Sequence, residues 1–161
     1  MIVVSNTTPL IGLAAIGHFD LLPKILGQIV IPQAVYNEAV VYGREQGGAR
    51  DEVMHAPWIK VQEAQDRLAV DVLLDELDLG EAETIVLAQE LQADLVLMDE
   101  RKGRRKLDQL GLKKIGTLGL LLRAKELGLM PAIRPEIERL RETGFSISDR
   151  LVAEVLRTAG E

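Results

Sequence analysis

Short unbroken runs of apolar residues alternate along this chain with longer stretches in which apolar residues return every three or four positions. Unbroken runs mark strands buried on both faces, and the longer spacing marks helices with one apolar side. Residues 2–5 (IVVS) form the first such run, ended by Asn6-Thr7-Thr8-Pro9. A polar residue followed by proline is a helix start. Thr8 is therefore predicted as the N-cap and Pro9 as the first helical residue, with the helix continuing over 10–16. Gly17-His18 breaks it, residues 19–26 predict a second short helix capped by Gly27, and 28–31 a second buried strand. Pro32 opens another helix, carrying Val35, Glu38, Ala39 and Tyr42, and the polar stretch 43–48 pauses or ends it.

Residues 56–61 read as a short strand or a loop anchored by Trp58, and 65–76 have helical spacing through Leu68, Val72 and Leu73. Asp78-Leu79-Gly80 reads as a turn, followed by a helix over 81–91 with Ile85, Ala88 and Leu91 on one face. Residues 94–98 (DLVLM) are a third strand, 99–110 a strongly charged helix ended by Gly111, 113–116 a fourth strand, and 117–127 a helix closed by Gly128. Two helices, 135–143 and 148–159, finish the chain. The alternation predicts the α/β class: a three-layer α/β/α sandwich around a short central parallel sheet. No internal repeat or linker divides the sequence. Residues 1–161 thus read as one domain, with the C-terminal helices 135–161 packed on it.

Composition narrows the function classes. Apolar residues make up 47% of the chain and charged residues 27%, which excludes disorder as its global state. There is no cysteine, which removes disulfide frameworks, thiolate zinc sites, iron–sulfur clusters and cysteine nucleophiles together, and fits a reducing compartment. No apolar stretch reaches the ~18 residues of a membrane span, and the first residues lack a signal peptide's basic start, so a cytoplasmic protein with no membrane partner is expected. The net charge of −6 argues against nucleic acid held over the whole surface, but not against a local basic patch. His18 and His55 lie far apart, which disfavours a histidine-rich metal site, and aromatics at 3% are too few for a base-stacking platform.

In open parallel sheets, ligands bind beyond the carboxyl ends of the strands. Asn6, Thr7 and Thr8 follow the first strand, and Asp99 and Glu100 the third. Glu38 lies on the helix after the second strand, and Glu81 begins the helix that feeds the third. Clustered carboxylates without histidine or cysteine suit a hard cation, Mg²⁺ or Mn²⁺. Each has a plainer reading beside this one. Glu81 serves equally as an N-terminal carboxylate on a helix dipole, Glu38 as a solvent-facing residue, and Asp99 as a helix cap. Asp75, Glu76 and Asp78 read as a solvated acidic surface. Residues 100–108 carry five positive and two negative charges, net +3. Arg101, Lys102, Arg104 and Arg105 in that run suit the phosphates of a polyanion, or else an exposed helix face tied by ion pairs. Phosphate-loop, dinucleotide-loop and nucleophile-elbow motifs are missing.

Four segments, VSNTTPLIGLAAIG, IPQAVYNEAV, LDLGEAETIVLAQELQADLVLMDERKGRR and IGTLGLLLRAK, occur in order from residue 3 to about 125. In that order and spacing they resemble the PIN-domain family, specifically its branch catalogued as a domain of unknown function. The C-terminal helices are similar to that branch as well. The resemblance implies a divalent-metal ribonuclease fold, in a family with many toxins of toxin–antitoxin pairs. It implies RNA as substrate, an antitoxin protein and a second copy of the chain as partners, and Mg²⁺ or Mn²⁺ as cofactor.

Carried over by position, the family's acidic residues fall on Asn6, Glu38, Glu81 and Asp99, and its small hydroxyl on Thr7 or Thr8. The implied metal shell is Asp99, Glu81, Asn6 and Glu38. Glu38, Glu81 and Asp99 are the implied catalytic residues, and Arg101, Lys102, Arg104 and Arg105 the nucleic-acid contacts. The departure is Asn6, where the family's nucleases carry aspartate. It supports an alternative: a catalytically weakened or inactive PIN-like module that binds RNA or a partner protein.

Overall fold

Five strands of two or three residues carry the fold in the computed structural model, which describes residues 1–43 and 48–161. They are β1 (Val3–Ser5), β2 (Ile29–Ile31), β3 (Ile59–Val61), β4 (Leu95–Leu97) and β5 (Lys114–Ile115). All pair in parallel, in the order β3-β2-β1-β4-β5. Residues 56–61, left open between strand and loop, thus supply an edge strand, and Trp58 just before it packs on Phe19 with ring centroids 5.1 Å apart. Most of the polar stretch 43–48 lies outside the described residues.

The helices are α1 (Thr7–Ala15), α2 (Leu21–Leu26), α3 (Gln33–Tyr36), α4 (Arg50–Met54), α5 (Arg67–Leu73), α6 (Leu79–Glu90), α7 (Arg101–Gln109), α8 (Thr117–Glu126), α9 (Arg134–Glu142) and α10 (Asp149–Thr158). Successive strand residues point to opposite faces of a sheet. Val3 and Leu97 accordingly join one buried cluster, with α1, α2, α8, α9 and α10. Val4, Val96 and Met98 join the other, with α5, α6 and α7. These are the two outer layers of an α/β/α sandwich, and α9 and α10 add Ile137, Leu140 and Leu156 to the first.

Several helix starts differ from the sequence pattern by two residues, among them those predicted at 19, 65 and 99, which lie at Leu21, Arg67 and Arg101. α1 begins at Thr7 with Asn6 as its N-cap, two residues earlier than Thr8-Pro9 suggested. Proline is free of cost anywhere in that first turn, because the first four N–H groups of a helix have no partner within it. Asp78-Leu79-Gly80 is a helix start rather than a turn. Asp78 caps α6, accepting from the Glu81 N–H at 2.8 Å, and Gly80 already lies inside the helix.

The strand order fixes where a site forms. The chain leaves central β1 toward β2 and β3, then returns to β4 on the other side of β1. The helices after β1 and β4, α1 and α7, therefore pack on opposite faces, and a crevice opens beyond the carboxyl ends of those two adjacent strands. β1 and β4 pair with Ser5 beside Leu97, so Asn6, Asp99 and Glu100 emerge side by side at that edge.

Candidate active site

The start of α1 is the hub of this crevice. Asn6 and Thr7 are buried. Thr7 Oγ1 donates to Glu38 Oε2 at 2.5 Å, and the Thr8 hydroxyl donates to Glu100. Asn6 Nδ2 donates to Glu100 Oε2 at 3.0 Å and approaches Met98 Sδ at 3.5 Å. One helix N-terminus thus bridges carboxylates from two other elements, with its dipole turned toward their charge.

Glu38 is delivered by an irregular piece of backbone. α3 runs on as a π-helical turn over Asn37–Val41, and Glu38 is its second residue. Such wide turns rotate the side chains after them relative to a regular helix and are frequent at functional sites. Glu38 is exposed as a residue, and its carboxylate reaches Gly80 in the first turn of α6. A Cβ on Gly80 would lie 2.4 Å from Glu38 Oε1, so only glycine admits this approach. Desolvation of the carboxyl end, followed by the charges of Asp78, Glu100 and Glu83, raises the Glu38 pKa against the opposing Thr7 hydrogen bond.

Glu81 is the third residue of α6 and pairs reciprocally with Asp78 in a capping box. The helix-terminal reading of Glu81 is therefore correct in geometry, but the residue is also buried among like charges. Burial, then the hydrogen bond and charge of Asp78, then Glu100, push its carboxyl up to about 8. Asp78, expected on a solvated surface, is exposed yet works at the edge of this cluster.

Asp99 and Glu100 divide their tasks. Asp99 accepts from the Thr117 N–H at 2.8 Å and the Thr117 hydroxyl at 2.7 Å, joining β4 to the start of α8. Gly116 makes room for it, since a Cβ there would lie 2.8 Å from Asp99 Oδ1. Burial, with a contribution from Glu100, raises the Asp99 pKa over the opposing Thr117 bonds and Arg104 charge. Glu100, rather than Asp99, faces Asn6 and Thr8. Glu83 is the residue that position in the sequence did not single out, while Glu100 stands at the strand end but not among the implied metal or catalytic residues. Glu83 is buried two residues beyond Glu81, accepting from the Ala34 N–H at 2.9 Å and Arg67 Nη2 at 2.8 Å.

The basic residues lie along α7. Arg101, Lys102 and Arg105 are exposed, and none of the three forms an ion pair among the described residues. Arg104 turns back toward the crevice, donating from Nη1 to the Met98 carbonyl at 2.8 Å. Among the described residues no three His, Asp or Glu side chains are grouped to grip an ion, because each carboxylate is held by a hydroxyl, an amide or a backbone N–H instead. Asn6 Oδ1 is the exception in the opposite sense. It is the one buried side-chain oxygen or nitrogen among the described residues with no hydrogen-bond partner.

A parallel α/β/α sandwich with acidic residues gathered at the carboxyl end of its central strands is the arrangement of a PIN-type fold. A PIN-domain family model, catalogued as a domain of unknown function, matches residues 2–161, and the chain belongs to that family. PIN domains are generally nucleases and usually use divalent metals. Comparison with curated proteins and with solved structures found no match. No helix among the described residues is long and apolar enough to cross a membrane.

Proposed function

We propose that this chain is a divalent-metal-dependent ribonuclease whose centre is the crevice of Asn6, Glu38, Glu81, Asp99 and Glu100. The observation that carries the reading is the orphaned Asn6 Oδ1, buried without a partner on a side chain whose amide nitrogen donates to Glu100. A buried polar atom without a partner calls for a ligand, and an amide oxygen among carboxylates is a donor set for a hard cation. The raised pKa values of Glu38, Glu81 and Asp99 point the same way, since a cation would offset the burial, and the lesser like-charge repulsion, that raise them.

Asn6 and Glu100, with Glu81 and Asp99 once turned from their present bonds to Asp78 and Thr117, would hold Mg²⁺ or Mn²⁺, which supplies Lewis-acid polarisation of phosphate and acidifies water. Glu38, at the open rim and held by Thr7, orients the attacking water and accepts its proton. Thr117 fixes the Asp99 carboxylate, and Thr8 fixes Glu100. Arg101, Lys102 and Arg105, exposed on the helix that leaves the crevice and without ion pairs among the described residues, contact the RNA backbone. The test is Mn²⁺-dependent cleavage of a mixed single-stranded RNA with a chelator control. Cleavage lost on chelation and in Asp99→Asn supports the reading, and a wild type inert with every divalent ion tested overturns it.

A second reading is favoured by one contact. Asn6 turns its amide N–H toward Glu100, neutralising locally what an aspartate would charge. On that reading the chain is a weakened or inactive module that binds RNA or a partner protein. RNA binding without cleavage, restored to cleavage by Asn6→Asp, distinguishes it. A toxin role, with an antitoxin or a second copy as partner, belongs to the first reading. It is checked by whether expression arrests growth and Asp99→Asn relieves the arrest.

A further inference from the structure

The loop between α9 and α10 stands over the same end of the sheet, and the ribonuclease reading leaves it without a role. Its Phe145 packs a ring edge against Gly12 of α1 and Leu140 of α9. Cavities open on both sides of this ring. One, of about 420 Å³, lies between α1 and the loop and reaches Thr8, Asp99 and Glu100 of the acidic crevice. The other, of about 390 Å³, lies between β5, α8 and α10. Asp99, Phe145 and Ser146 line both, so the two cavities adjoin at this ring.

The two cavities differ in the charge at their borders. The first holds Thr8, Asp99 and Glu100 of the proposed reaction centre, and of these only Asp99 also borders the second. The second has apolar walls from Leu118, Phe145 and Leu151, with Arg104 and Lys114 at its border. Arg104 spends one guanidinium nitrogen on the Met98 carbonyl, leaving its other donors for a ligand. Lys114 pairs with Asp108, an exposed residue outside the cavity lining. Apolar walls with a small number of cationic donors at the mouth suit a flat aromatic ligand that carries phosphate.

We propose that this second cavity, resting on the ribonuclease reading of the first, is a subsite for one unpaired nucleotide flanking the reacting phosphate. Its base stacks on Phe145 between Leu118 and Leu151, and its phosphate meets Arg104. A paired base does not enter, because a duplex presents its bases edge-on inside the stack. The low aromatic content of the chain is no obstacle, since one ring serves one base. The loop over residues 143–147 thereby supplies the stacking surface for the nucleotide beside the cut.

The test uses an RNA oligonucleotide with 2-aminopurine at one position, whose fluorescence falls when the base stacks, titrated into the full chain with and without Mg²⁺. Wild type is expected to quench it as a single strand and not as a blunt duplex. Phe145→Leu keeps an apolar side chain in the core and should bind about tenfold more weakly with the quench lost. Leu151→Glu, on an exposed position of α10, fills the mouth with negative charge and should lose binding by at least as much. Equal quench in wild type and both variants, no quench in wild type under either condition, or quench by the duplex overturns the subsite. Cleavage is scored separately. A wild type that quenches but never cleaves sinks the nuclease reading and leaves the subsite standing, whereas one that cleaves while both variants bind unchanged does the reverse.

Discussion

Glu81 and Glu83 sit two residues apart on α6, and both are buried, at 7% and 5% exposure. Their surroundings are opposite. Glu83 faces the Ala34 N–H and the Arg67 guanidinium, so its charge is matched on two sides. Glu81 faces Asp78 and the Glu100 charge, with only a reciprocal capping contact in return. Burial alone does not make a carboxylate functional; burial against its own sign does. The first node ties α3, α5 and α6 together and thereby anchors the backbone that delivers Glu38. The second, with Asn6, Glu38, Asp99 and Glu100, concentrates negative charge that the fold does not neutralise.

The largest expected effect breaks the matched side of this comparison. Glu83→Ala strands a buried N–H and a guanidinium, and should cost about 2–3 kcal/mol in urea unfolding, reduced from a fully buried pair because Arg67 is half exposed. Glu83→Gln keeps an acceptor for Ala34 and should cost about 1 kcal/mol. If Glu83→Ala is as stable as wild type, the node is no anchor.

On the unmatched side, Asn6→Asp adds a charge of almost unchanged shape. It should lower stability in chelator and tighten Mn²⁺ binding about tenfold, or ~1.4 kcal/mol, read by calorimetry. Thermal unfolding with and without Mn²⁺ should show the larger metal-induced rise in Asn6→Asp. Unchanged Mn²⁺ affinity would remove Asn6 from the shell of any ion.

A smaller effect isolates Glu81. Its folded pKa of about 8 exceeds its ordinary value, so the folded state holds the extra proton. Between the two pKa values the folded chain binds more protons than the unfolded chain, and stability falls as pH rises. This contribution is full below about pH 4.5 and gone above pH 8. Glu81→Gln preserves the capping-box geometry and carries no charge. Its urea midpoint should therefore decline less than wild type between pH 5 and pH 8.5, and parallel curves would place Glu81 in a screened setting. The smallest effect on stability, within ~0.5 kcal/mol, is expected from Arg101→Ala with Arg105→Ala, both exposed. Their mark is on binding: RNA affinity should weaken, and its logarithmic salt slope should shrink by about 1–2.

Periodicity carried the order of elements a long way. The apolar runs at residues 2–5, 28–31, 94–98 and 113–116 all hold strands, and glycines at 17, 27, 111 and 128 each take the positive φ that ends a helix. Asn6, Glu38, Glu81 and Asp99 were legible as polar positions at element ends, because the sheet rule selects such positions without knowing any contact. Where helices begin was less legible. Asn6-Thr7-Thr8-Pro9 and Asp78-Leu79-Gly80-Glu81 each contain two acceptable starts, and local preference differs between them by less than a packing contact supplies.

The sequence by itself determined the alternation of helix and strand, the layering that follows from it, and the gathering of carboxylates at one edge. Tertiary structure alone decided which carboxylate faces which. After β4 the chain leaves the two-residue period, and nothing in Asp99-Glu100 says that the first turns to Thr117 and the second to Asn6. Nor does spacing distinguish Glu81 from Glu83, since both lie on the first turns of one helix. Arg67 reaches the second from another element 16 residues away, and Glu38 comes to Gly80 through a π-turn that no local pattern encodes. A side chain's charge is written in the chain, but the sign of its neighbours is set by elements far apart in sequence, and only packing brings those together.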